Sequence, residues 1–472
     1  MLRVHDKESG SVYKMSLDKF FNPQSIAIIG ATENELNITS AIFNNLFEMG
    51  YKGTIVPVNP HYEKVFGLKC CPSILDYEDN IDLSIITISS EHIPEILSQH
   101  IERKINNVVI ISGGFAETGK RGIVLEAEIK KICRENNIRI IGPNCLGVLN
   151  NYSNFSTFFL PWSKIKRPSR GHLSILSQSG SYAASMLDML YLEGIGVSKF
   201  VSYGNRVDVG ESELIEYLTG DDSTRVIGIY MESVDDGRRF IRASRLCSCY
   251  KHIVVLKVGR QESGINAARS HTGAIAGRYE IYKAAFRKSG VLEVYNLEEF
   301  LDACKVLLMQ KPARGNKILV ITNGGGFGVA VSDMCSDTGL NLAQTPPGIR
   351  EYLSEHFPEF FIFNNPIDLT GSAGDKDFGI ALKTAFVDND FYDAAIIIPL
   401  MPPPAMTEGV VDVISERAKE SGKPVVVCTI KSVYTKKTKE KFESKNIPVF
   451  MSPERAVKAM NVLVERGKMD GC

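Results

Sequence analysis

The first regular element of the chain is encoded by the segment Ser25-Ile26-Ala27-Ile28-Ile29-Gly30-Ala31-Thr32. A short apolar run rich in β-branched residues that ends at a glycine is typical of a buried strand followed by a tight turn. A segment with helical periodicity follows near residues 40–49. Strand, turn and helix in this order form the first unit of a parallel sheet whose faces are covered by helices.

Beyond this unit, strand-like and helix-like segments alternate along the rest of the chain. The further strand-like runs are 54–58, 83–88, 108–111, 138–141, 173–176, 200–201, 226–230, 253–257, 291–295, 318–322, 394–398, 425–429 and 449–450. Residues 151–170 are less regular and are interpreted as a connector, and residues 311–316 have the composition of a hinge. We therefore predict three doubly wound α/β domains of the Rossmann or flavodoxin type in series, at residues 15–150, 168–310 and 316–472.

Size and charge exclude several classes of protein. A chain of 472 residues is longer than one hydrophobic core usually organises. The formal net charge is −1, which provides no basic face for nucleic acid. No apolar run approaches the roughly 18 residues needed to cross a membrane, and the polar N-terminus lacks a signal-peptide pattern. We expect a cytoplasmic protein that contacts neither nucleic acid nor membrane.

The ten cysteines show no pairing of the kind that binds a metal. Cys70 and Cys71 are adjacent, and Cys247 and Cys249 are two residues apart, and neither spacing is that of a zinc site. Cys145 has no basic neighbour in sequence, so a structural thiol is favoured over a nucleophile. We predict reduced structural thiols and no metal site.

Four turns follow predicted strands of the first domain and should meet at the carboxyl edge of its sheet. Their candidate ligand-binding residues are Gly30, Ala31, Thr32, Asn59, Pro60, Ser112, Gly113 and Asn144. Backbone N–H groups and a helix N-terminus at such an edge favour a pyrophosphate. The spacing after Gly30 is not that of a nicotinamide-binding motif. The turns predict a nucleotide-type ligand, with the alternative that each merely ends a strand.

Two further helix starts are rich in small residues. Ser179-Gly180-Ser181 follows the run 173–176, and Gly324-Gly325-Gly326 follows the run 318–322. The positive end of the helix dipole makes such starts suitable for phosphate. For Ser179 alone, an ordinary helix N-cap is the alternative.

His271 lies in a run of small residues, Gly264-Ile265-Asn266-Ala267-Ala268-Arg269-Ser270-His271-Thr272-Gly273-Ala274-Ile275-Ala276-Gly277. Glycines on both sides allow movement and close approach of a phosphate. Imidazole is a good nucleophile near neutral pH, so we predict that His271 accepts a phosphoryl group between the two helix starts and delivers it elsewhere. Glu232 follows the run 226–230 and is predicted to orient the imidazole, the alternative being a solvated loop glutamate.

Together these residues resemble the ADP-forming acyl-CoA synthetases, specifically the α subunit of acetate–CoA ligase (ADP-forming), and more broadly succinyl-CoA synthetase. The resemblance covers about residues 17–468. It is carried, in the family's order, by residues 142–147, 177–181, Ser202-Tyr203-Gly204-Asn205, the His271 run and Asn365-Pro366-Ile367-Asp368.

The resemblance implies a CoA-binding first domain, a phosphorylated His271 that Glu232 steadies, and phosphate held at the helix starts Ser179-Gly180-Ser181 and Gly324-Gly325-Gly326. It implies that acyl-CoA, phosphate and ADP are interconverted with carboxylate, CoA and ATP through an acyl phosphate and a phosphohistidine. No ATP-grasp domain is recognisable in the chain. The family therefore implies a separate ATP-grasp β subunit that binds ATP or ADP with Mg2+, in an α2β2 complex.

A second hypothesis is a non-catalytic CoA-binding subunit that regulates a related complex. The presence of both His271 and Glu232 favours the enzyme. A nicotinamide-dependent dehydrogenase is disfavoured, because the glycine motif and the acidic ribose partner are missing.

Overall fold

The computed structural model of the chain describes residues 17–264, 278–432 and 435–469. The described residues form two compact units, divided between Leu297 and Glu298. The first unit contains two large sheets and the second contains one. Each of these three sheets contains five parallel strands that alternate with helices, as the sequence pattern predicts, and the second sheet also has two antiparallel strands.

The first sheet is entirely parallel. Its strands are β1 (Ser25–Ile29), β2 (Thr54–Val58), β5 (Leu83–Ile86), β6 (Asn107–Ile110) and β7 (Arg139–Ile141), with β3 (Lys64–Val65) and β4 (Leu68–Lys69) forming a separate hairpin. The helices are α1 (Ile38–Met49), α2 (Ile93–Arg103) and α3 (Lys120–Asn136). The strand order is β2-β1-β5-β6-β7. The chain first adds β2 on one side of β1 and then crosses to add β5 on the other side. The switch point of the sheet therefore lies between β1 and β5.

Local sequence explains why α1 forms where it does. The Asn37 side chain accepts a hydrogen bond from the backbone N–H of Thr39 at 2.9 Å and caps the helix start. Gly50 ends the helix at φ 70°, a conformation that glycine adopts without strain. Ile42 and Phe43 face the core and are fully buried, so α1 covers one face of the sheet.

The second sheet combines five parallel strands with an antiparallel extension. Its strands are β8 (Gly147–Asn150), β9 (Phe155–Ser156), β10 (Arg170–Ser177), β11 (Val197–Ser202), β12 (Val226–Met231), β13 (His252–Lys257) and β14 (Val291–Val294). The helices are α4 (Gly180–Leu192), α5 (Glu211–Thr219), α6 (Gly237–Ser248) and α7 (Tyr279–Ser289). The order is β14-β13-β12-β10-β11-β8-β9, and the switch point lies between β10 and β12.

The antiparallel extension differs from the sequence prediction. Residues 151–170 were expected to be a connector, yet β9 lies within them, and β8 pairs with β11 rather than with the first sheet. Leu149 and Phe155 are fully buried, and β8 covers the edge of β11 that would otherwise be open. Local periodicity does not reveal an antiparallel partner that lies about fifty residues along the chain.

The third sheet is again parallel. Its strands are β15 (Ile318–Thr322), β16 (Ile367–Asp368), β17 (Ala394–Ile398), β18 (Val425–Cys428) and β19 (Val449–Phe450), in the order β16-β15-β17-β18-β19. The helices are α8 (Leu297–Met309), α9 (Gly325–Thr338), α10 (Pro347–His356), α11 (Asp375–Leu382), α12 (Val410–Ser421), α13 (Thr435–Ser444) and α14 (Pro453–Lys468). Helix α8, which the sequence placed at the end of the second domain, packs in this unit through an ion pair between Asp302 and Arg455 at 2.6 Å.

All three sheets place the first parallel strand between the second and the third, which is the flavodoxin-like order. The central strands β12 and β17 are buried along their whole length. Ligands of such sheets bind outside the carboxyl ends of the strands at the switch point, so each sheet offers one crevice. Within the described ranges, no helix is both long and apolar enough to cross a membrane.

Candidate functional site

The first crevice lies between the carboxyl ends of β1 and β5. Gly30 ends β1 at φ +91°, and a Cβ here would lie 2.8 Å from Ile88 Cγ2 and 3.0 Å from Thr87 Oγ1. The position therefore requires glycine, because two loops approach closely and the backbone is left-handed. Ala31 and Thr32 follow as buried residues of the turn that leads to α1. The three predicted residues of this turn thus lie at the switch point.

Asn59 shapes the crevice from the turn after β2. Its amide nitrogen donates to the carbonyl oxygen of Ala31 at 2.8 Å, and its Oδ1 accepts the backbone N–H two residues on. The Thr32 hydroxyl donates to the Tyr62 hydroxyl at 3.3 Å. Pro60 is exposed between these contacts. The side chain of Asn59 is therefore engaged in holding two turns together.

Ser112, Gly113 and Asn144 also come together at this edge. The backbone N–H of Asn144 donates to the carbonyl oxygen of Ser112 at 2.9 Å. A Cβ at Gly113 would lie 3.4 Å from Asn144 Oδ1. Two turns that are distant in sequence are thus neighbours, as the prediction of a common carboxyl edge requires.

Glu117 is a residue of this edge that the sequence analysis missed. Its carboxylate accepts the backbone N–H of Gly114 at 2.6 Å and a side-chain N–H of Asn205 at 2.7 Å. Burial alone would raise the pKa of Glu117, but these hydrogen bonds hold the pKa below its ordinary value. Asn205 also accepts from Asn144 at 3.3 Å, which links the crevice to the turn after β11. The partner of Glu117 lies 88 residues away, so no local pattern marks it.

Cys145 is a structural thiol, as predicted. Its Sγ lies 3.3 Å from the carbonyl oxygen of Ile110, and burial raises its pKa to about 12. A thiol with so high a pKa is not a nucleophile at neutral pH. Within the part of the chain that the structure describes, the thiols of Cys70, Cys71, Cys133, Cys145, Cys304, Cys335 and Cys428 are free and buried.

The second crevice opens between β10 and β12. The Ser179 hydroxyl accepts the backbone N–H of Tyr182 at 3.4 Å and lies 3.1 Å from Ser181 Oγ. The Ser177 hydroxyl donates to the carbonyl oxygen of Ser179 at 2.8 Å. Ser179 is therefore the N-cap of α4, and Gly180 and Ser181 form its first turn at the positive end of the helix dipole.

Glu232 lies at the same switch point, directly after β12. The backbone N–H groups of Glu232 and Ser233 both donate to Gln178 Oε1, the second at 2.9 Å. Glu232 is only 7% exposed, so it is not a solvated loop residue. The Tyr230 hydroxyl is hydrogen-bonded to the Glu232 carboxylate, and burial together with that negative charge raises the pKa of Tyr230. A buried carboxylate and the serine-rich helix start thus share one edge.

The third crevice lies between β15 and β17. The Asn323 side chain donates to the carbonyl oxygen of Leu400 at 3.0 Å and accepts its N–H at 2.8 Å. A Cβ at Gly324 would overlap the Leu400 side chain, and one at Gly325 would lie 2.6 Å from Asp368 Oδ2. At Gly326 nothing lies within 4 Å of the position that a Cβ would take. Packing therefore explains two of the three predicted glycines, and Gly326 faces open space.

His271, the predicted nucleophile, lies outside the described residues. It belongs to the connection between β13 and α7, of which residues 258–264 and Arg278 are described. Strand β13 pairs with β12 in parallel, so this connection begins at the edge where Glu232 lies. Delivery of a phosphoryl group between the two helix starts remains a prediction.

Charged side chains also line a cavity of about 330 Å³ in the first unit. Two of its arginines are engaged with carboxylates: Arg139 lies 2.9 Å from Asp208 and 2.8 Å from Glu213, and Arg206 lies 3.1 Å from Glu211. This balance of charge does not favour an anion. Across residues 17–264, 278–432 and 435–469, no group of three or more His, Cys, Asp or Glu is arranged to hold a metal.

Family comparisons cover most of the chain. Residues 24–151 match the family described as CoA binding domain, and residues 170–307 match the succinyl-CoA ligase like flavodoxin domain. Residues 318–466 match the Ligase-CoA domain. The three matched ranges follow one another in the order of the three sheets.

Individual relatives match along almost the whole chain. The α subunit of acetate–CoA ligase (ADP-forming) I from Pyrococcus furiosus is 34% identical over 96% of this chain and 98% of its own length. Acetate–CoA ligase (ADP-forming) I from Archaeoglobus fulgidus is 36% identical over 96% of this chain and 64% of its own length. A solved acetyl-coenzyme A synthetase 1 from Ca. Korarchaeum cryptofilum, in complex with phosphate and ADP, matches with a TM-score of 0.88 and 32% identity, covering 96% of this chain and 97% of that one.

Proposed function

We propose, from the premise that this chain belongs to the family of ADP-forming acetate–CoA ligases, that it is the α subunit of an ADP-forming acyl-CoA synthetase. The observation that carries this proposal is the match to the Pyrococcus furiosus α subunit over nearly the full length of both chains. Relatives that are named as ligases support an enzyme over a purely regulatory CoA-binding subunit.

The proposed reaction has three steps. Phosphate attacks the thioester carbonyl of acyl-CoA, the C–S bond breaks, and the proton lost by phosphate leaves with the CoA thiol. An imidazole nitrogen of His271 then attacks phosphorus, the P–O bond to the acyl group breaks, and the carboxylate leaves. The terminal phosphate oxygen of ADP finally attacks the phosphohistidine, the P–N bond breaks, and ATP forms.

The residues of the second crevice are proposed to serve the histidine. The Glu232 carboxylate would accept a hydrogen bond from one imidazole nitrogen and leave the other free to attack. The first turn of α4, with Ser179, Gly180 and Ser181, would stabilise the phosphoryl group by its backbone N–H groups and hydroxyls. In the third crevice, Gly326 is the glycine whose surroundings leave room for phosphate.

CoA is proposed to bind in the first crevice. Gly30 is partly exposed at the switch point, and the buried Thr32 and the start of α1 follow it along the chain. These are the groups that hold a pyrophosphate in doubly wound sheets. Asn59, Pro60, Ser112, Gly113 and Asn144 would set the shape of the surrounding turns.

We infer a separate partner subunit from the lengths of the relatives. The chain spans 98% of the relative named as an α subunit but 64% of the Archaeoglobus fulgidus ligase. The remaining third of the longer chain would correspond here to an ATP-grasp β subunit that binds ATP or ADP with Mg2+, in an α2β2 complex.

Labelling tests the proposal directly. The full chain would be incubated with its ATP-grasp partner, Mg2+ and ATP labelled in the terminal phosphate. We expect acid-labile label on His271. Adding ADP should remove the label as ATP, and adding acetate should remove it as acetyl phosphate. Absence of label from the wild-type chain, or equal labelling of His271→Ala, would contradict the proposal.

A further inference from the structure

Residues 232–234 form an irregular segment between β12 and α6 that side chains from other elements hold in place. Backbone groups in such a segment lack the partners that a strand or helix supplies. Glu232 and Ser233 are 7% and 5% exposed, so water is largely excluded as a partner. Hydrogen bonds from side chains therefore offset the cost of burying this backbone.

Lys257, the last residue of β13, holds the carbonyl group of Glu232. Its Nζ donates to that oxygen at 2.8 Å and also to the carbonyl oxygen of Val258. Lys257 is 1% exposed, so little water competes for these bonds. The lysine thus ties the residue after β12 to the residue after β13.

Tyr282 of α7 holds the other end of the segment. Its hydroxyl accepts the backbone N–H of Val234 at 3.3 Å. The centre of its ring lies 4.6 Å from Lys257 Nζ, within the range of a cation–π contact. Lys257 and Tyr282 therefore contact each other as well as the segment.

Two more side chains complete the enclosure. The side-chain oxygen of Gln178 accepts the backbone N–H groups of Glu232 and Ser233. Arg206 donates to the carbonyl oxygen of Ser233 at 2.7 Å and to its hydroxyl at 3.0 Å. Residues 232–234 are thus held from β13, α7, the end of β10 and the turn after β11.

We infer that Lys257 and Tyr282 are positioning residues for the Glu232 carboxylate in phosphoryl transfer. The inference rests on the proposed function, in which Glu232 steadies His271. Because the backbone of Glu232 is fixed on several sides, its carboxylate needs no reorganisation when the phosphohistidine forms. Both residues act through Glu232, without touching the reacting atoms.

The test compares Lys257→Met and Tyr282→Phe with the wild-type chain, each with the ATP-grasp partner, Mg2+ and labelled ATP. We expect labelling of His271 to slow by about 10- to 100-fold in each variant, as for other residues that orient a reactive group. In the full reaction kcat should fall, while KM for acetyl-CoA stays within about twofold because the first crevice is untouched.

Matched controls exist in the same unit. Lys251 is a buried lysine just before β13, at the opposite end of the strand, and its Nζ also donates to two backbone carbonyl groups. The Tyr217 hydroxyl, in α5, lies 3.4 Å from Asp18 Oδ1, which is not part of residues 232–234. Lys251→Met and Tyr217→Phe should leave labelling within about twofold of wild type, since neither group contacts the segment.

A double variant separates positioning from general structure. Adding Lys257→Met to Glu232→Gln should produce no further loss of labelling, because the lysine has no carboxylate left to position. A full additional loss, or equal losses in the control variants, would overturn the inference. If Lys257→Met does not fold, judged by circular dichroism, Tyr282→Phe carries the test alone. Absence of labelling in the wild type would instead contradict the proposed function.

Discussion

The second and third crevices share one structural feature at their switch points. In the second, Gln178 accepts the backbone N–H groups of Glu232 and Ser233. In the third, Asn323 bonds both backbone groups of Leu400. A side-chain amide from the turn after the first strand thus holds the turn after the third strand in both sheets. In two sheets with the same strand order, a side-chain amide thus supplies the hydrogen bonds that the backbone of this turn would otherwise lack.

The chemistry beside that amide differs between the two crevices. A buried carboxylate, Glu232, and the hydroxyls of Ser179 and Ser181 surround the second. Glycines, the apolar Leu400 and the partly exposed carboxylate of Asp368 surround the third, and Gly326 faces open space. The strand order provides a crevice in each sheet, and the side chains placed around it determine what the crevice can do.

The largest expected effect concerns the two carboxylates. Glu232→Gln should slow labelling of His271 by at least about 100-fold, because the loss of charge removes the partner that orients the imidazole. Asp368→Asn in the third crevice should change labelling by less than about threefold, since an amide oxygen can still accept the N–H of Thr370 now bound at 2.9 Å. Equal losses in labelling assays of the two variants would remove the distinction between the crevices.

A second prediction uses the pH dependence of stability. Burial lowers the pKa of Lys257 to about 8 from an ordinary 10.5, an effect only partly offset by Glu232 and Glu293 and reinforced by Arg260. Between these values the unfolded chain binds the proton and the native chain does not, so the free energy of unfolding rises with pH.

The comparison with Lys257→Met isolates this contribution. The stability of wild type relative to the variant should increase by on the order of 2 kcal/mol between about pH 7 and about pH 9.5. This pH-dependent gain in stability is absent below pH 8, because Lys257 is then protonated in both the native and the unfolded chain. Denaturant unfolding at several pH values measures it, and a difference that is constant with pH would show that the lysine is not desolvated.

A third prediction extends the comparison to the first crevice. Gly30→Ala should destabilise the chain by about 2 to 4 kcal/mol, because it combines a left-handed backbone with a contact to Ile88. Gly67 has a similar positive φ of +74° but nothing within 4 Å of a Cβ, so Gly67→Ala should cost only about 1 kcal/mol. Thermal unfolding compares the two, and equal costs would mean that the close approach at Gly30 contributes nothing.

The smallest effects are expected at two helix starts. Gly180→Ala places a Cβ 3.7 Å from Leu146 Cγ, and Gly326→Ala places one in open space. Alanine in these helices should preserve stability or raise it by up to about 1 kcal/mol. A fall in labelling of His271 at unchanged stability would then report contact with phosphate, whereas destabilisation would indicate that packing selects these glycines as well.

The strands were predictable where apolar residues cluster locally. The predicted runs 25–29, 54–58, 318–322 and 394–398 have the same bounds in the structure. The antiparallel strands β8 and β9 and the two-residue strand β16 were not predicted. Such short strands form because a neighbouring strand is present, and their own sequences carry little periodicity.

The candidate site was predictable to a similar extent. The turns at Gly30, Ser179 and Gly324 were expected at carboxyl edges, and each lies at a switch point. Glu117 and Lys257 were missed, although Glu117 is a half-buried carboxylate and Lys257 a buried lysine, each beside a crevice. A charged residue at a strand end gives no signal until the partner that it meets is known.

Hydrophobic periodicity and glycine placement act within a single strand, turn or helix, so the residues themselves were enough to indicate the alternating α/β architecture and the small-residue helix starts. The enclosure of Glu232 arises differently. Gln178 meets it across 54 residues and Lys257 across 25, because strand order brings β10, β12 and β13 together. Hydrogen bonds between segments that belong to different strand connections depend on that strand order, and no local sequence pattern encodes the order.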